Sequence, residues 1–444
     1  MFTNYQKIVF VAPRSSGKTV LMAALADAIN QNPNLICPQN KDFRNARISK
    51  CPGPFNYFQF ERVLDTISHH GSWPAQTLDN QAIRLELHSQ GTPFNQFCHR
   101  YIRDFVDIPG ERFADLLGSA KAYNAAQPTY EDWSDAVGEL FPKLGDRTTA
   151  QLFQEFENSL LAENNLDPEH IVSHYRDIVL KTIFKDGDTL SDRGRYMLTP
   201  STILSRVWSK SEDFPDAFAP LPEKTRQRNP ALCFAMKQQY DAYQKKIIEP
   251  VQRQLKQADV VVIPVDIAWL LSSQPAVFND QISLINSIGS YLDHTNGRLK
   301  NVTAFAQRLF MNEGSNGKLK KVILCATKID LFRSSDWERA ADLLAQITAH
   351  ARRTTNFGGA QLEHISCAAI KAAEPHPHDS SKVVGLVNGQ REEFQPSELP
   401  AEWPSNWMYN DFSFPIRFQP HIAQHRAVGM SHVNLEQLIR SIED

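Results

Sequence analysis

Apolar residues follow two patterns along this chain and divide it into three stretches. Within 7–118, and again within 258–370, they form short runs that each end in a polar loop. These are Lys7-Ile-Val-Phe-Val-Ala12, Ile83-Arg-Leu-Glu-Leu87, the runs at 102–108 and 259–265, and Lys321-Val-Ile-Leu-Cys-Ala326. Runs of this length separated by helical patterns predict the strands of an α/β sheet, continuous where both faces are covered. The run at 83–87 alternates, as a half-exposed strand would.

The stretch at 119–257 has a different period. Trp133, Val137, Leu140 and Phe141 form one helical stripe; Leu152, Phe153, Phe156, Leu160 and Leu161 form a second. Ile171, Tyr175, Ile178, Val179 and Ile183 form a third, after Pro168. Each stripe predicts an amphipathic helix that needs a partner for its apolar face, and its aromatics are read as core. The stretch closes on a polar, proline-marked segment at 214–230. A long helix from Leu232 follows, and Pro250 is expected to kink or break it.

At 371–444 a loop around Pro375 and Pro377 leads to alternating residues at 383–387, then Asn388-Gly389, then 390–394. That order predicts a β-hairpin with a type I′ turn. A strand at 412–418 and a helix at 433–442 complete the reading. The fold class expected is α/β: a mostly parallel sheet flanked by helices, with a large all-α insertion and a C-terminal hairpin extension. The corresponding boundaries are 1–118, 119–257 and 258–444.

Composition narrows the functional classes. Across 444 residues, 47 Lys+Arg against 50 Asp+Glu leave a net charge of −3, which argues against a chain-wide grip on nucleic acid or anionic lipid. A direct nucleic-acid partner is therefore not expected. A hydrophobic fraction of 42% excludes wholesale disorder. The cysteines, at 37, 51, 98, 233, 325 and 367, contain no C-x-x-C pair, so neither a disulfide scaffold nor a zinc ribbon is expected and a reducing compartment fits. Residues 1–12 lack the features of a signal peptide, and no apolar run approaches transmembrane length, so a cytoplasmic location is expected.

The candidate chemistry begins where the first predicted strand runs into Ala12-Pro-Arg-Ser-Ser-Gly-Lys-Thr19, followed by a helical pattern at Val20, Leu21, Leu25 and Ile29. Strand, glycine-bearing loop and helix are the context a phosphate-binding P-loop requires. Its amides and helix dipole would face phosphate oxygens. Lys18 would reach the β- and γ-phosphates, and the Thr19 hydroxyl would ligate Mg²⁺. Ser15, Ser16, Gly17, Lys18, Thr19 and Val20 form the expected binding set. Ala12 stands where the consensus has Gly, and its methyl group narrows the local conformations. A chance Gly-Lys-Thr in a turn is the competing reading.

Val106-Asp107-Ile-Pro-Gly110-Glu111 ends another apolar run. It resembles the Asp-x-x-Gly of P-loop GTPases, where the Asp holds Mg²⁺ through water and the Gly amide senses the γ-phosphate. Thr327-Lys328-Ile-Asp330 ends the run at 321–326 and is a variant of the guanine-reading Asn-Lys-x-Asp. Two carboxylate oxygens on Asp330 match guanine N1–H and its 2-amino group; adenine would leave them unpaired. The Lys328 stem would lie across the base. Ser366-Cys367-Ala368 follows a further short run, where a GTPase loop touches guanine O6.

These segments, with Trp73-Pro74 and Val387-Asn-Gly389, resemble the YcjX-like (DUF463) family of bacterial P-loop GTPases over essentially the whole chain. The resemblance implies a Ras-like G domain carrying a helical insert likened to the TBC fold, and a stress-related regulatory switch. It also implies Thr77 as a switch I ligand of Mg²⁺, an ordinary surface threonine being the even alternative. The reaction implied is GTP hydrolysis to GDP and phosphate with Mg²⁺, held by Thr19, Thr77 and Asp107. Lys18, Gly110 and Glu111 would act on the transferring group. Glu111 is read either as general base or as a surface acid, and slow basal turnover is expected for that reason. Arg193, Arg195 and Arg206 are candidate arginine fingers by position alone. A protein partner is implied, with membrane-associated stress proteins among the candidates. A nucleotide-binding scaffold with little hydrolysis and an ATP-dependent kinase are the competing functions.

Overall fold

A computed structural model of the protein describes residues 2–12, 16–36, 43–53, 55–74, 80–89, 99–108, 110, 129–140, 147–162, 167–183, 218–273, 319–354, 360–405, 408, 411–420 and 431–443. The first elements are β1 (Phe2–Phe10), α1 (Lys18–Gln31), β2 (Phe43–Lys50), β3 (Asn56–Tyr57), α2 (Phe60–His70), β4 (Gln81–Ser89) and β5 (His99–Asp107). Helices follow: α3 (Tyr130–Leu140), α4 (Arg147–Ala162), α5 (Pro168–Ile183), α6 (Glu223–Arg228), α7 (Pro230–Tyr243) and α8 (Glu249–Lys256). The chain then forms β6 (Val260–Asp266), α9 (Ile267–Ser272), β7 (Lys321–Thr327), α10 (Trp337–Thr354) and β8 (Gln361–Ser366). It ends in β9 (Ala373–His376), β10 (Asp379–Val387), β11 (Gln390–Phe394) and α11 (Leu435–Glu443).

The large sheet has the order β2-β4-β5-β1-β6-β7-β8, with β3 paired to β4. From β5 to β8 the strands are parallel; β4 runs antiparallel to β5 and β2 antiparallel to β4, while the short β3 pairs parallel with β4. The fold is thus mixed α/β with a largely parallel central sheet flanked by helices. Every residue of β6 and β7 is buried, the physical basis of their unbroken apolar sequences. Alternate side chains serve opposite faces. Ile8, Phe10, Val260, Val262 and Ile323 pack with α1, α2 and α11. Val9, Val261, Ile263, Val322 and Leu324 belong to the cluster that includes α10 and reaches into α3–α8.

The helices between β5 and β6 pack through the stripes seen in the sequence. Trp133, Phe153, Phe156, Leu160, Ile171, Tyr175 and Ile178 are all buried. Trp133 meets Phe218 edge-on at 5.0 Å, and the Tyr130 hydroxyl donates to Ala219 O at 2.7 Å, so its polar tip is satisfied where its ring is buried. The expected irregularity near Pro250 takes the form of an interruption of the α-helix and not of a chain break. A π-helical turn at Gln244–Ile248 precedes Pro250, which stands in the first turn of α8, where a missing N–H costs little.

Two further differences concern strands. Residues 412–418 are not a strand: Phe418 N donates to Pro415 O at 3.0 Å in a turn, and Pro415 has no amide to offer a ladder. Gln419 alone bridges Leu386. Strand β2 was not expected, because Phe43-Arg-Asn-Ala-Arg-Ile-Ser-Lys50 is an edge strand with many polar positions. The small sheet has the order β11-β10-β9, and Asn388 (φ 51°) and Gly389 (φ 76°) turn β10 into antiparallel β11. Gly385 is required in β10, since a Cβ there would stand 2.1 Å from the Phe418 ring. The Phe418 carbonyl accepts from Trp73 Nε1 at 3.1 Å, which ties this sheet to the segment ahead of β4.

Helix α11 closes the N-terminal ends of the strands. Ile442 O accepts from Gln6 Nε2 at 2.9 Å, Ser441 O from Lys321 Nζ at 2.7 Å, and Arg103 pairs with Glu443 at 2.6 Å. Among the described residues, no helix is long and apolar enough to cross a membrane.

Candidate functional site

At the opposite, carboxyl ends of the strands, three loops meet. Strand β1 hands over at Phe10, and Val11 N still pairs with Val262 O at 3.0 Å, so Val11 and Ala12 leave the sheet fully buried. Gly17 then caps α1 with φ 82°, a left-handed position that favours glycine. The first turn of α1 carries no acidic residue, so its unpaired amides and dipole favour an anion.

The sheet register sets Asp107 beside this loop, opposite Phe10. Lys18 is 7% exposed and Asp107 0%, and Lys18 Nζ lies 3.1 Å from Asp107 Oδ1. The same ammonium donates to Ile108 O. Thr19 Oγ1 donates to Asp107 Oδ2 at 3.2 Å. Thus Lys18, Thr19 and Asp107, spread over 89 residues of sequence, form one contiguous group. Gly110 is buried next to it in sequence.

Two buried oxygens here make no hydrogen bond: Asp107 Oδ1, which has only the ionic contact with Lys18, and Ser16 Oγ. Buried polar atoms are normally paired. Their presence at a helix N-terminus, together with the hard oxygens of Thr19 and Asp107, fits a phosphate group and an Mg²⁺ ion.

Strand β7 brings the second loop. Thr327 Oγ1 donates to Ser16 O at 2.8 Å and lies 3.3 Å from Val265 O, joining the phosphate-loop candidate to β6 and β7. Lys328 is left-handed at φ 58°, and its Cε would lie 3.8 Å from a Cβ on Gly17. Its Nζ donates to Asp266 Oδ2 at 2.6 Å. Asp266, at the end of β6, is absent from the sequence reading. Its signal was an acid at a strand end just before a helix: Oδ1 caps α9 by accepting from Trp269 N at 2.9 Å.

Asp330 is arranged differently. It is 3% exposed, and its Oδ2 accepts from Ala372 N at 2.6 Å and Ala373 N at 3.0 Å, holding the start of β9. Burial raises its pKa to about 6, and the two amides oppose the rise without cancelling it. The Ser366–Cys367–Ala368 loop is likewise tied into the fold: Cys367 N donates to Ala326 O at 2.8 Å and Ala368 N to Val433 O at 3.0 Å. Cys325 Sγ and Cys367 Sγ touch at 3.2 Å, both buried. Ser15, Thr77, Glu111 and the three arginines at 193, 195 and 206 lie outside the described residues.

The raised pKa of Asp330 has a pH signature. Between about pH 4 and 6 the folded protein keeps a proton that the unfolded chain has lost, so this group's contribution to stability falls as pH rises through that window. The difference amounts to about 3 kcal/mol. Asp330→Asn removes the slope, so the unfolding free energies of parent and variant should diverge between pH 4 and 6 in urea titrations. Parallel pH profiles would contradict the assignment.

No curated protein matches the chain. A family model described as the YcjX-like family, DUF463, matches residues 13–443, so the chain belongs to that family.

Proposed function

We propose that this protein is a Mg²⁺-dependent GTPase with a Ras-like G domain, and that the helices between β5 and β6 are an insert in that domain. The observation that carries the reading is the meeting of Lys18, Thr19 and Asp107 at the N-terminus of α1, with the Thr327–Lys328 loop hydrogen-bonded to the same phosphate-loop candidate. Strand ends in open α/β sheets are where ligands bind.

In this reading Thr19 and Asp107 hold Mg²⁺, which neutralises charge on the phosphate oxygens when bound. Lys18 exchanges Ile108 O for a phosphate oxygen and stabilises the negative charge of the transition state. The amides of α1 orient the same group without reorganising. Thr327 keeps the loop in register by holding Ser16 O. Guanine preference rests on the chemistry of the Thr-Lys-x-Asp motif. Asp330 Oδ2 already accepts from Ala372 N and Ala373 N, so the two-oxygen match to guanine requires those amides to be released.

A nucleotide-binding scaffold with little hydrolysis is the second reading, favoured by the buried Ala12 and by the existing hold of Asp107 and Ile108 O on Lys18. Phosphate release from GTP and ATP, with and without Mg²⁺, separates the two. The GTPase reading expects Mg²⁺-dependent release from GTP that Asp107→Asn lowers at least about 100-fold. Tight GTP binding without release supports the scaffold, and a preference for ATP refutes the guanine assignment.

A further inference from the structure

The nucleoside half of the site contains a residue that none of the recognised motifs includes. Asp266 is a carboxylate 7% exposed in its side chain, placed by the β6–β7 register opposite Thr327. One oxygen is fixed by Trp269 N, and the other receives Lys328 Nζ at 2.6 Å. Lys328 itself occupies a left-handed backbone position, which is unfavourable for a non-glycine residue. Its side chain is 39% exposed, and its Cε reaches the edge of Gly17.

These facts combine geometrically. The backbone of Lys328 is held by its turn, since Leu331 N donates to Lys328 O at 3.1 Å. The ammonium is held by Asp266. The methylene stem between them is therefore fixed at both ends, and it lies beside the loop that would receive the phosphates. An unanchored lysine stem samples many rotamers and must be ordered when a ligand arrives. A stem anchored in advance offers an apolar ledge against which a flat ring can rest.

We propose that Asp266 is a positioning residue for the nucleoside: by holding Lys328 Nζ it fixes the Lys328 stem as the platform under the base. The proposal rests on the nucleotide reading given above. Asp266 acts through Lys328 and takes no part in the reaction at the phosphates. Its effect therefore belongs to ligands that carry a nucleoside and is absent from ligands that carry phosphates alone.

The test compares GDP with inorganic pyrophosphate, both with Mg²⁺, by calorimetry on the full chain. Asp266→Asn keeps a good helix cap for α9 and removes only the charge, which separates positioning from folding. In Asp266→Asn, GDP affinity should fall about tenfold while pyrophosphate affinity stays within about twofold. KM for GTP should rise with kcat nearly unchanged. Lys328→Ala should show the same selective loss, and the double variant should lose no more than either single one.

Equal weakening of GDP and pyrophosphate would mean that Asp266 acts on the phosphate loop or the fold, and would overturn the proposal. Unchanged GDP affinity in Asp266→Asn, with Lys18→Ala still abolishing binding, would overturn it and leave the nucleotide reading intact. A parent protein that binds neither GDP nor pyrophosphate would overturn both.

Discussion

Lys18→Ala is expected to lower Mg²⁺-dependent phosphate release about 10²–10³-fold and to destabilise the protein without nucleotide. In the GTPase reading the first effect is the loss of a cation that would stabilise the transferring phosphate. The second follows from the structure: Asp107 is 0% exposed, and Lys18 Nζ is the cation at 3.1 Å. Removing one member of a buried ion pair leaves the other uncompensated, at a cost of about 3 kcal/mol or more. The two effects can be separated. Lys18→Ala combined with Asp107→Asn removes both charges, and should recover most of the stability in a urea titration while staying inactive. A double variant as unstable as the single would show that Lys18 supports the fold by other means. Hydrolysis by Lys18→Ala at the parent rate would place the reaction elsewhere.

Arg103→Leu is expected to cost about 3–5 kcal/mol of stability, without changing nucleotide affinity in the folded fraction. Arg103 is buried and donates to Glu443 Oε2 at 2.6 Å, to Glu443 Oε1 at 2.9 Å and to Asn4 O at 3.1 Å. Leucine would strand a carboxylate that is 9% exposed and a main-chain carbonyl. Glu443→Gln keeps an acceptor for the guanidinium and should cost markedly less. The comparison by chemical denaturation checks the claim, since equal midpoints for both variants would mean the charge is irrelevant. The site lies at the other end of β5, at Asp107, so binding by folded molecules is the internal control.

How far the sequence carried depended on how local each cause was. β6 and β7 were legible because both faces are covered, and every residue had to be apolar or internally paired. β2 was not, because an edge strand tolerates Arg, Asn and Lys. A strand was expected at 412–418, but the chain turns at Pro415. Lys18, Thr19 and Asp107 were legible as separate motifs because each follows an apolar run, and the sheet register brought them together. Asp266 was not legible as a partner of Lys328, because only the pairing of β6 with β7 makes them neighbours. Nor could the sequence show that Asp330 holds amides 42 and 43 residues further on, since any buried carboxylate finds its donors in three dimensions.

The central position of β1 has a kinetic consequence. Its neighbours are β5 and β6, and 152 residues separate Asp107 from Asp259. Closing a flexible loop of that length costs about 4 kcal/mol of chain entropy before any contact of β6 repays it. The intervening helices meet one another over shorter separations and can collapse first, which shortens the effective tether. On a ribosome the glycine-lysine-threonine turn emerges ahead of most of the elements it meets in the fold. The strand that flanks it on one side comes roughly 240 residues later, and Thr327, which braces Ser16, comes 311 residues after it. A nascent chain must therefore carry an unfinished candidate site until β7 has emerged, and any ligand that needs all these loops can be held only after that.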